Sequence, residues 1–316
     1  SDYMEGAHPA ILERMLSTNM DKCVGYGLDE FCNSAREKIR VACDAPNAEI
    51  HFISGGTQSN SLVIKSLLKP YQGVIAATTG HIAGHEAGAI EHGGHKVLCV
   101  PEYNGKLKAS DVEKLVKTYQ TDDNKDHLVM PGMVYISQPT ESGTLYSLSE
   151  LEDISRVCKA NGLHLFLDGA RLAYALATPS NDVTLPDLAR LCDIFYIGGT
   201  KVGAMLGEAV VIPNAAIAED FRYLIKQHGG MLAKGWLLGL QFTALMEDNL
   251  YFKICEHANQ QADAIRKAVT DSGYSLYAET TTNQVFPVLP DAFLDELKKK
   301  VTFTEQCRVS DTTRAI

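Results

Sequence analysis

The stretch DIFYIGGTKVGAML (residues 193–206) decides the predicted fold. It begins as an apolar and aromatic run, which is typical of a buried β-strand, and passes through Gly198, Gly199 and Thr200 to a single lysine, Lys201. A charged group at the end of a buried strand loses hydration, and this loss costs free energy unless other groups at the site compensate for it. The pattern therefore indicates a strand that ends at a functional site.

Similar apolar runs alternate with amphipathic stretches on either side of this one. EIHFISGG (49–56) precedes TQSNSLVIKSLLKPYQ, GVIAATTG (73–80) precedes HIAGHEAGAIEHGG, and LHLFLDGA (163–170) follows SLSELEDISRVCKANG. Several of these strands are nearly all apolar, as strands of a sheet covered on both faces are. The sequence predicts an α/β fold with a mainly parallel, helix-covered sheet, in which GEAVVIP (207–213) is a candidate antiparallel member. Ser149, followed by Glu152, is the predicted cap of the SLSELED helix.

Composition narrows the class of function. The 39 acidic and 29 basic residues leave a net charge of -10, which argues against a protein that binds the phosphate backbone of nucleic acid. No apolar run is long enough to span a membrane, and the first residues do not resemble a leader peptide. The eight cysteines are scattered singly, as reduced thiols are, so we expect a cytoplasmic protein.

Two further strand ends carry unusual polar residues. FISGGTQSN (52–60) leads through Gly56 into Thr57 and Gln58 at the start of a helix, where free N–H groups can bind a phosphate. An ordinary turn with a Ser/Thr cap is equally compatible with that motif. Asp168 ends an apolar strand and requires a cation or hydrogen-bond donors, and Arg171 is one candidate partner.

The position of Lys201 favours a chemical role over that of an ordinary surface lysine. A lysine amine in a confined site has a lowered pKa, and the neutral amine is a nucleophile toward carbonyl groups. Pyridoxal phosphate requires a phosphate site, a Schiff-base lysine and a carboxylate at its ring nitrogen. The three strand ends predict this cofactor, with the Schiff base on Lys201.

SGGTQSN, TGHIAGHEAGAIEHGGHKV, LDGARLAYAL and GGTKVGAMLGEAVV, in this order, resemble the threonine aldolase and β-eliminating lyase family. The resemblance extends over nearly the whole chain. It implies an aminotransferase-like (fold type I) fold and an active site at the interface of a homodimer or homotetramer. It also implies three regions: an N-terminal segment near the active site (1–18), a large cofactor-binding α/β domain (19–213), and a small α+β domain (214–316) that is expected to be incomplete at its C-terminus.

The resemblance also assigns roles to individual residues. Lys201 and Asp168 would bind the cofactor's aldehyde and ring nitrogen, and His81 would stack on the ring. The other residues expected to bind the cofactor are Gly56, Thr57, Gln58, Thr200 and Arg171. The substrate carboxylate is expected at Arg171, with Arg314 and Tyr26 as further substrate-binding candidates.

The histidines leave alternatives open. His85 is a candidate base for the substrate's β-hydroxyl group, or a polar wall of the pocket, and His92 and His95 are expected to be solvated. His81 and His85 are four residues apart and would share one face of a helix that starts there, as zinc ligands can. HEAGA has Ala89 in place of the second histidine of the zinc motif H-E-x-x-H, however, so no metal site is predicted. Many threonine aldolases carry another histidine in a T-H-N context, about where this chain has Thr140.

The resemblance implies a lyase that cleaves small amino acid substrates, L-threonine or L-allo-threonine and related β-hydroxy-α-amino acids, by a retro-aldol reaction into glycine and an aldehyde. β-Elimination to ammonia and a 2-oxo acid is the second reading, because one fold supports both reactions. A cofactor-free or metal-dependent binding module, in which Lys201 and Asp168 form a buried ion pair, is the third.

Overall fold

A computed structural model describes residues 1–316, and its largest feature is a seven-stranded sheet. The strands of this sheet are β1 (Glu49–Ile53), β2 (Gln72–Ala77), β3 (Val97–Val100), β4 (Met130–Ser137), β5 (His164–Asp168), β6 (Ile194–Gly198) and β7 (Glu208–Ile212). Their order across the sheet is β1-β7-β6-β5-β4-β2-β3. Strand β7 pairs antiparallel with both β1 and β6, and the remaining pairs are parallel. The predicted sheet, including its antiparallel member, is confirmed.

Thirteen α-helices accompany the sheets. They are α1 (Pro9–Ser17), α2 (Glu30–Ala42), α3 (Gly56–Leu67), α4 (His81–Gly84), α5 (Ala89–His92), α6 (Ala109–Gln120), α7 (Leu148–Asn161), α8 (Leu172–Leu176), α9 (Leu185–Leu191), α10 (Phe221–Gln227), α11 (Trp236–Leu245), α12 (Leu250–Asp271) and α13 (Asp291–Leu297). Short 3-10 helices cover Lys125–His127 and Ala215–Ala218. None of these helices is long and apolar enough to cross a membrane.

Both faces of the large sheet are buried. Along β6, Phe195 and Ile197 belong to one hydrophobic cluster, whereas Ile194 and Tyr196 belong to a second cluster. Strand side chains alternate between faces, so the two clusters lie on opposite sides of the sheet. This explains the continuous apolar runs in the sequence.

Two local predictions are wrong. Helix α7 is capped by Ser147 with Glu150, not by Ser149 with Glu152, because the sequence holds two overlapping Ser-x-x-Glu pairs and the helix begins at Leu148. His95 is buried and its Nδ1 lies 3.0 Å from the carbonyl oxygen of Gln72, although it was expected to be solvated.

The HIAGHEAGAIEHGG stretch forms two short helices, α4 and α5, rather than one. Ala87 and Gly88 between them have φ angles of 51° and 73°, a left-handed conformation that a helix cannot continue through. His85 consequently lies at the C-cap of α4 instead of on a longer helix with His81.

A second, four-stranded sheet is formed by the C-terminal part of the chain. Its strands are β8 (Ser275–Leu276), β9 (Pro287–Pro290), β10 (Cys307–Arg308) and β11 (Thr313–Ala315), in the order β10-β11-β9-β8. All of its pairings are antiparallel.

Candidate active site

The polar residues of the candidate site come from one edge of the large sheet. Strand β1 ends before Gly56, β2 before His81, β5 at Asp168 and β6 before Lys201. These strands run in the same direction, so their carboxyl ends lie along a common edge. Strand β7 runs the opposite way and therefore places its first residue, Glu208, at this edge.

A cavity of about 230 Å³ lies at this edge. Its walls include most of the predicted site residues: Gly56, Thr57, His81, Asp168, Arg171, Thr200 and Lys201. No group of three or more His, Cys, Asp or Glu side chains in the structure is arranged to hold a metal ion.

Lys201 is largely buried beside other charged groups. Burial, followed by the positive charge of Arg171, lowers the pKa of its amine, and the carboxylates of Asp2, Asp168 and Glu208 only partly oppose this shift. A lowered pKa increases the neutral fraction of the amine near pH 7, which is the form that reacts with carbonyl groups.

Asp168 is 5% exposed and is surrounded by donors. Its Oδ2 accepts hydrogen bonds from the Tyr135 hydroxyl at 2.6 Å and from Asn60 Nδ2 at 3.1 Å. Its Oδ1 accepts from the Tyr196 hydroxyl and from the Ala170 N–H at 3.0 Å. Donors from three other elements therefore hold this carboxylate in a fixed orientation at the cavity.

The N-terminus of α3 supplies unused N–H groups. Its N-cap is Gly55, which has no side chain to cap the helix, and the first backbone bond into the helix is from Ser59 N–H to the Gly55 carbonyl. The N–H groups of Gly56, Thr57 and Gln58 thus have no acceptor within the chain. The N-terminus of a helix of this length, 12 residues, attracts an anion when it lies at a cavity.

Arg171 is held by the N-terminal segment. Its Nε donates to Asp2 Oδ2 at 2.5 Å and its Nη2 donates to Asp2 Oδ1 at 3.1 Å. Asn283 Nδ2 also donates to Asp2 Oδ2, at 2.9 Å. Although burial opposes ionisation, Arg171 holds the pKa of the Asp2 carboxyl below its usual value. Asp2 thus occupies one edge of the guanidinium and leaves Nη1 free of this contact.

His81 belongs to a buried polar network. Its Nδ1 lies 2.7 Å from Glu86 Oε1, whose side chain is fully buried, and Asn60 Nδ2 donates to the same oxygen at 2.6 Å. The hydrogen bond to Glu86 raises the pKa of His81 despite burial. Because Asn60 also contacts Asp168, the network connects the residue predicted to stack on the ring with the one predicted to face its nitrogen.

Two cavity carboxylates were missed by the sequence analysis. Glu208 is 3% exposed, accepts the Gly199 N–H at 2.9 Å, and has a pKa raised by burial to about 7. Glu141 accepts hydrogen bonds on Oε1 from Ser137 Oγ at 2.7 Å and from the His81 N–H at 2.9 Å. Both were visible as acidic residues close to apolar strands, which is a rare position for a carboxylate.

Four predicted residues lie outside this cavity. Gln58 Nε2 instead donates to the His228 carbonyl at 3.0 Å. His85 is exposed and lines a second cavity of about 390 Å³. Tyr26 lines a separate cavity of about 780 Å³, where Lys226 Nζ lies 4.9 Å from its ring centroid.

Arg314 is the fourth of these residues. It lies in β11, and its guanidinium pairs with Glu305 at 2.7 Å and with Asp291 at 2.9 Å. The structure does not bring it to Lys201. Thr140, the position compared with the second aldolase histidine, is also buried away from the cavity and binds Thr144, whereas its neighbour Glu141 lines the cavity.

Comparison with known proteins identifies the family. The family model described as beta-eliminating lyase matches residues 1–292. The chain belongs to the β-eliminating lyase family. The low specificity L-threonine aldolase of a Pseudomonas species is 33% identical over 307 residues, which cover 95% of this chain and 86% of that relative. The structure of Leishmania major threonine aldolase is 47% identical, with a TM-score of 0.95 over 100% of this chain and 91% of that one.

The fold of this β-eliminating lyase family member is shared more widely. An aspartate aminotransferase from Thermus thermophilus superposes with a TM-score of 0.70 at 13% identity, covering 90% of this chain and 78% of that one. At that identity the match shows the fold alone, which is the aminotransferase-like fold type I of pyridoxal-phosphate enzymes. The predicted family, fold class and lyase assignment are confirmed.

Proposed function

We propose that this protein is a pyridoxal-phosphate-dependent lyase that cleaves L-threonine, L-allo-threonine and related β-hydroxy-α-amino acids into glycine and an aldehyde. One observation carries the proposal: an amine of lowered pKa, a buried carboxylate and an uncapped helix N-terminus line one cavity, at Lys201, Asp168 and Gly56. The similarity to proteins named threonine aldolase supports this reaction.

The residues present fit this cofactor. The unpaired N–H groups at the start of α3 suit a phosphate. Buried Asn60 Oδ1 and Glu86 Oε2 have no hydrogen-bond partner, which indicates a polar site completed by another molecule. The Asn60 bond to Asp168 is the longest of the four, at 3.1 Å, so a ring N–H can replace it at small cost.

When bound, pyridoxal phosphate supplies an aldehyde that joins to amines and a ring that draws electrons from Cα. Lys201 Nζ would hold the cofactor covalently, and Asp168 would accept from its ring nitrogen. Gly56 and Thr57 would bind the phosphate, and Thr200, which lines the same cavity, would also contact the cofactor. His81 would cover one face of the ring, oriented by Glu86.

Arg171 would bind the substrate carboxylate through the edge that Asp2 leaves free. A carboxylate on this guanidinium would hold the substrate's Cα beside Lys201, which lines the same cavity. For Tyr26, which is 46% exposed, we propose a contact with the site of a neighbouring subunit. Gln58 and Arg314 have other partners in this structure, so their predicted roles would require them to change contacts.

Product analysis tests the reaction directly. The protein is supplied with pyridoxal phosphate and L-allo-threonine, and then with L-threonine, and acetaldehyde, glycine, 2-oxobutanoate and ammonia are assayed in the same sample. We expect acetaldehyde and glycine in equal amounts. If 2-oxobutanoate and ammonia form instead, the enzyme eliminates and the aldolase proposal is wrong.

β-Elimination is the second candidate, favoured by the description of the matching family model. It breaks a Cβ–heteroatom bond instead of the Cα–Cβ bond. L-Serine distinguishes the two reactions, because the aldolase releases formaldehyde and glycine from it, whereas the eliminating lyase releases pyruvate and ammonia.

Two further properties form part of the proposal. The exposed apolar side chains of the N-terminal segment, including Met4 and Leu16 at 77% and 80% exposure, support a homodimer or homotetramer. Sedimentation of an active species at monomer mass would contradict this. The eight cysteines are all unpaired, which supports a cytoplasmic location.

A further inference from the structure

Cleavage of the Cα–Cβ bond needs a base that accepts the proton of the substrate's β-hydroxyl group. Most carboxylates and histidines at the cavity already have other partners. The predicted base, His85, is exposed and lines the second cavity. His81 is bound to Glu86, and its raised pKa favours the protonated form, which is a poor base. Asp168 already accepts from four donors, Glu86 is bound to His81 and Asn60, and Glu208 accepts the Gly199 N–H.

Glu141 differs from Glu86 because it is not paired with a cation. The ion pairs at the cavity join His81 to Glu86 and Arg171 to Asp2, so neither cation is paired with Glu141. Both of its side-chain hydrogen bonds fall on Oε1, and Oε2 accepts no side-chain or backbone hydrogen bond from another residue. A partly buried carboxylate without a cation costs free energy, so its position at the cavity favours a functional role.

The position of Glu141 suits the hydroxyl group. It lines the cofactor cavity and also the second cavity of about 390 Å³, so it stands where the two meet. When the substrate carboxylate is bound by Arg171 and the amino group lies near Lys201, the Cβ substituent points toward one of the remaining cavity walls. Burial, reinforced by the negative charge of Asp168, raises the pKa of Glu141 toward the range in which a carboxylate accepts protons effectively.

We infer that Glu141 is the catalytic base that removes the β-hydroxyl proton. The O–H bond breaks and its proton passes to Glu141 Oε2, while the electron pair forms the second C–O bond of the aldehyde. The Cα–Cβ bond breaks and its electron pair stays with Cα, which then takes up a proton to give glycine. This inference rests on the proposed retro-aldol function.

The test compares two reactions of the same loaded enzyme. Threonine cleavage needs the hydroxyl base, whereas exchange of the glycine Cα proton in deuterium oxide, followed by NMR, does not. In Glu141→Gln we expect kcat for cleavage to fall by about 10²- to 10⁴-fold, the usual contribution of a general base, with glycine exchange within about threefold of wild type. Thr140→Ser is the matched control in the same loop, where we expect both rates to stay unchanged.

Two measurements without turnover accompany the kinetics: the melting temperature of the apoprotein and the affinity of the apoprotein for pyridoxal phosphate. We expect both to stay close to wild type, because the amide oxygen of Gln can still accept from Ser137 and the His81 N–H. If Glu141→Gln does not fold, Glu141→Asp is measured in the same way, and we expect its ratio of cleavage to exchange to fall at least about tenfold.

Cleavage by the variant within threefold of wild type would overturn the assignment. So would an equal loss of cleavage and exchange together with weaker cofactor binding, since that result describes a structural residue. A wild-type enzyme that exchanges glycine protons but releases no acetaldehyde would instead contradict the proposed function, and with it this inference.

Discussion

The contact between Asp2 and Arg171 gives a prediction whose size can be worked from the structure. Replacing Asp2 with Asn removes the charge that faces Nε and Nη2 of Arg171, at 2.5 and 3.1 Å. Two unit charges 4 Å apart interact by about 4 kcal/mol at an effective dielectric constant of about 20. The side chains keep 22% (Arg171) and 12% (Asp2) of their surface exposed, and Asn283 can still bind the new amide, so we reduce the figure to about 1–2 kcal/mol.

We expect Asp2→Asn to raise KM for L-threonine by roughly 5- to 30-fold, with kcat changed by less than about threefold. The reason is that Asp2 holds the guanidinium with its other edge toward the cavity. Steady-state kinetics over a range of threonine concentrations measure the effect, with Glu5→Gln, an exposed carboxylate of the same segment, as the control. A lower KM in Asp2→Asn would refute the reasoning, because it would mean that Asp2 competes with the substrate for Arg171.

Three other substitutions test the remaining parts of the site. Glu86→Gln replaces the charged acceptor that raises the pKa of His81 with a neutral one, so the His81 pKa measured by NMR should fall. The stabilisation from the charged pair is present below the unfolded pKa of about 6.5 and is lost as pH rises through the folded pKa. Wild type and variant should therefore differ more in melting temperature at pH 6 than at pH 9. An unchanged His81 titration would contradict the pairing. Gly56→Ala would bring a Cβ within 3.1 Å of the Tyr196 hydroxyl at the proposed phosphate site. We expect the affinity of the apoprotein for pyridoxal phosphate to fall about tenfold, corresponding to about 1.4 kcal/mol, and unaltered affinity would argue against a phosphate there. Gly169→Ala would place a Cβ 1.8 Å from the Tyr196 carbonyl oxygen, so denaturant unfolding should show a loss of about 3 kcal/mol or no folded protein, and wild-type stability would contradict the close approach.

The sequence predicted the sheet and the strand ends well for a physical reason. Strands buried on both faces must be continuously apolar, so a polar residue that follows such a run is conspicuous. Asp168 and Lys201 were found in this way, and both line the cavity. The antiparallel direction of β7 could also be anticipated, because the nine residues between it and β6 (199–207) are too few for a parallel crossover.

The surroundings of these residues could not be read from the sequence to the same extent. Glu86 was considered only as part of a possible zinc motif, because nothing in HEAGA shows that its side chain turns inward to His81. His85 was assigned to a helix face that the left-handed residues at Ala87 and Gly88 interrupt. Glu141 lies in a loop, where no periodic pattern reveals which side chain points into the cavity. Asp2 and Arg171 are 169 positions apart, so no local sequence pattern predicts the contact between them.

The most direct test of the central claim is to locate the cofactor on the chain. The protein is loaded with pyridoxal phosphate, reduced with borohydride and digested, and the modified peptide is identified by mass spectrometry. We expect one pyridoxyl group on Lys201, in the peptide that contains GGTKVGAML, and none in Lys201→Ala. A label on another lysine, or an unlabelled wild-type protein, would contradict the proposed active site.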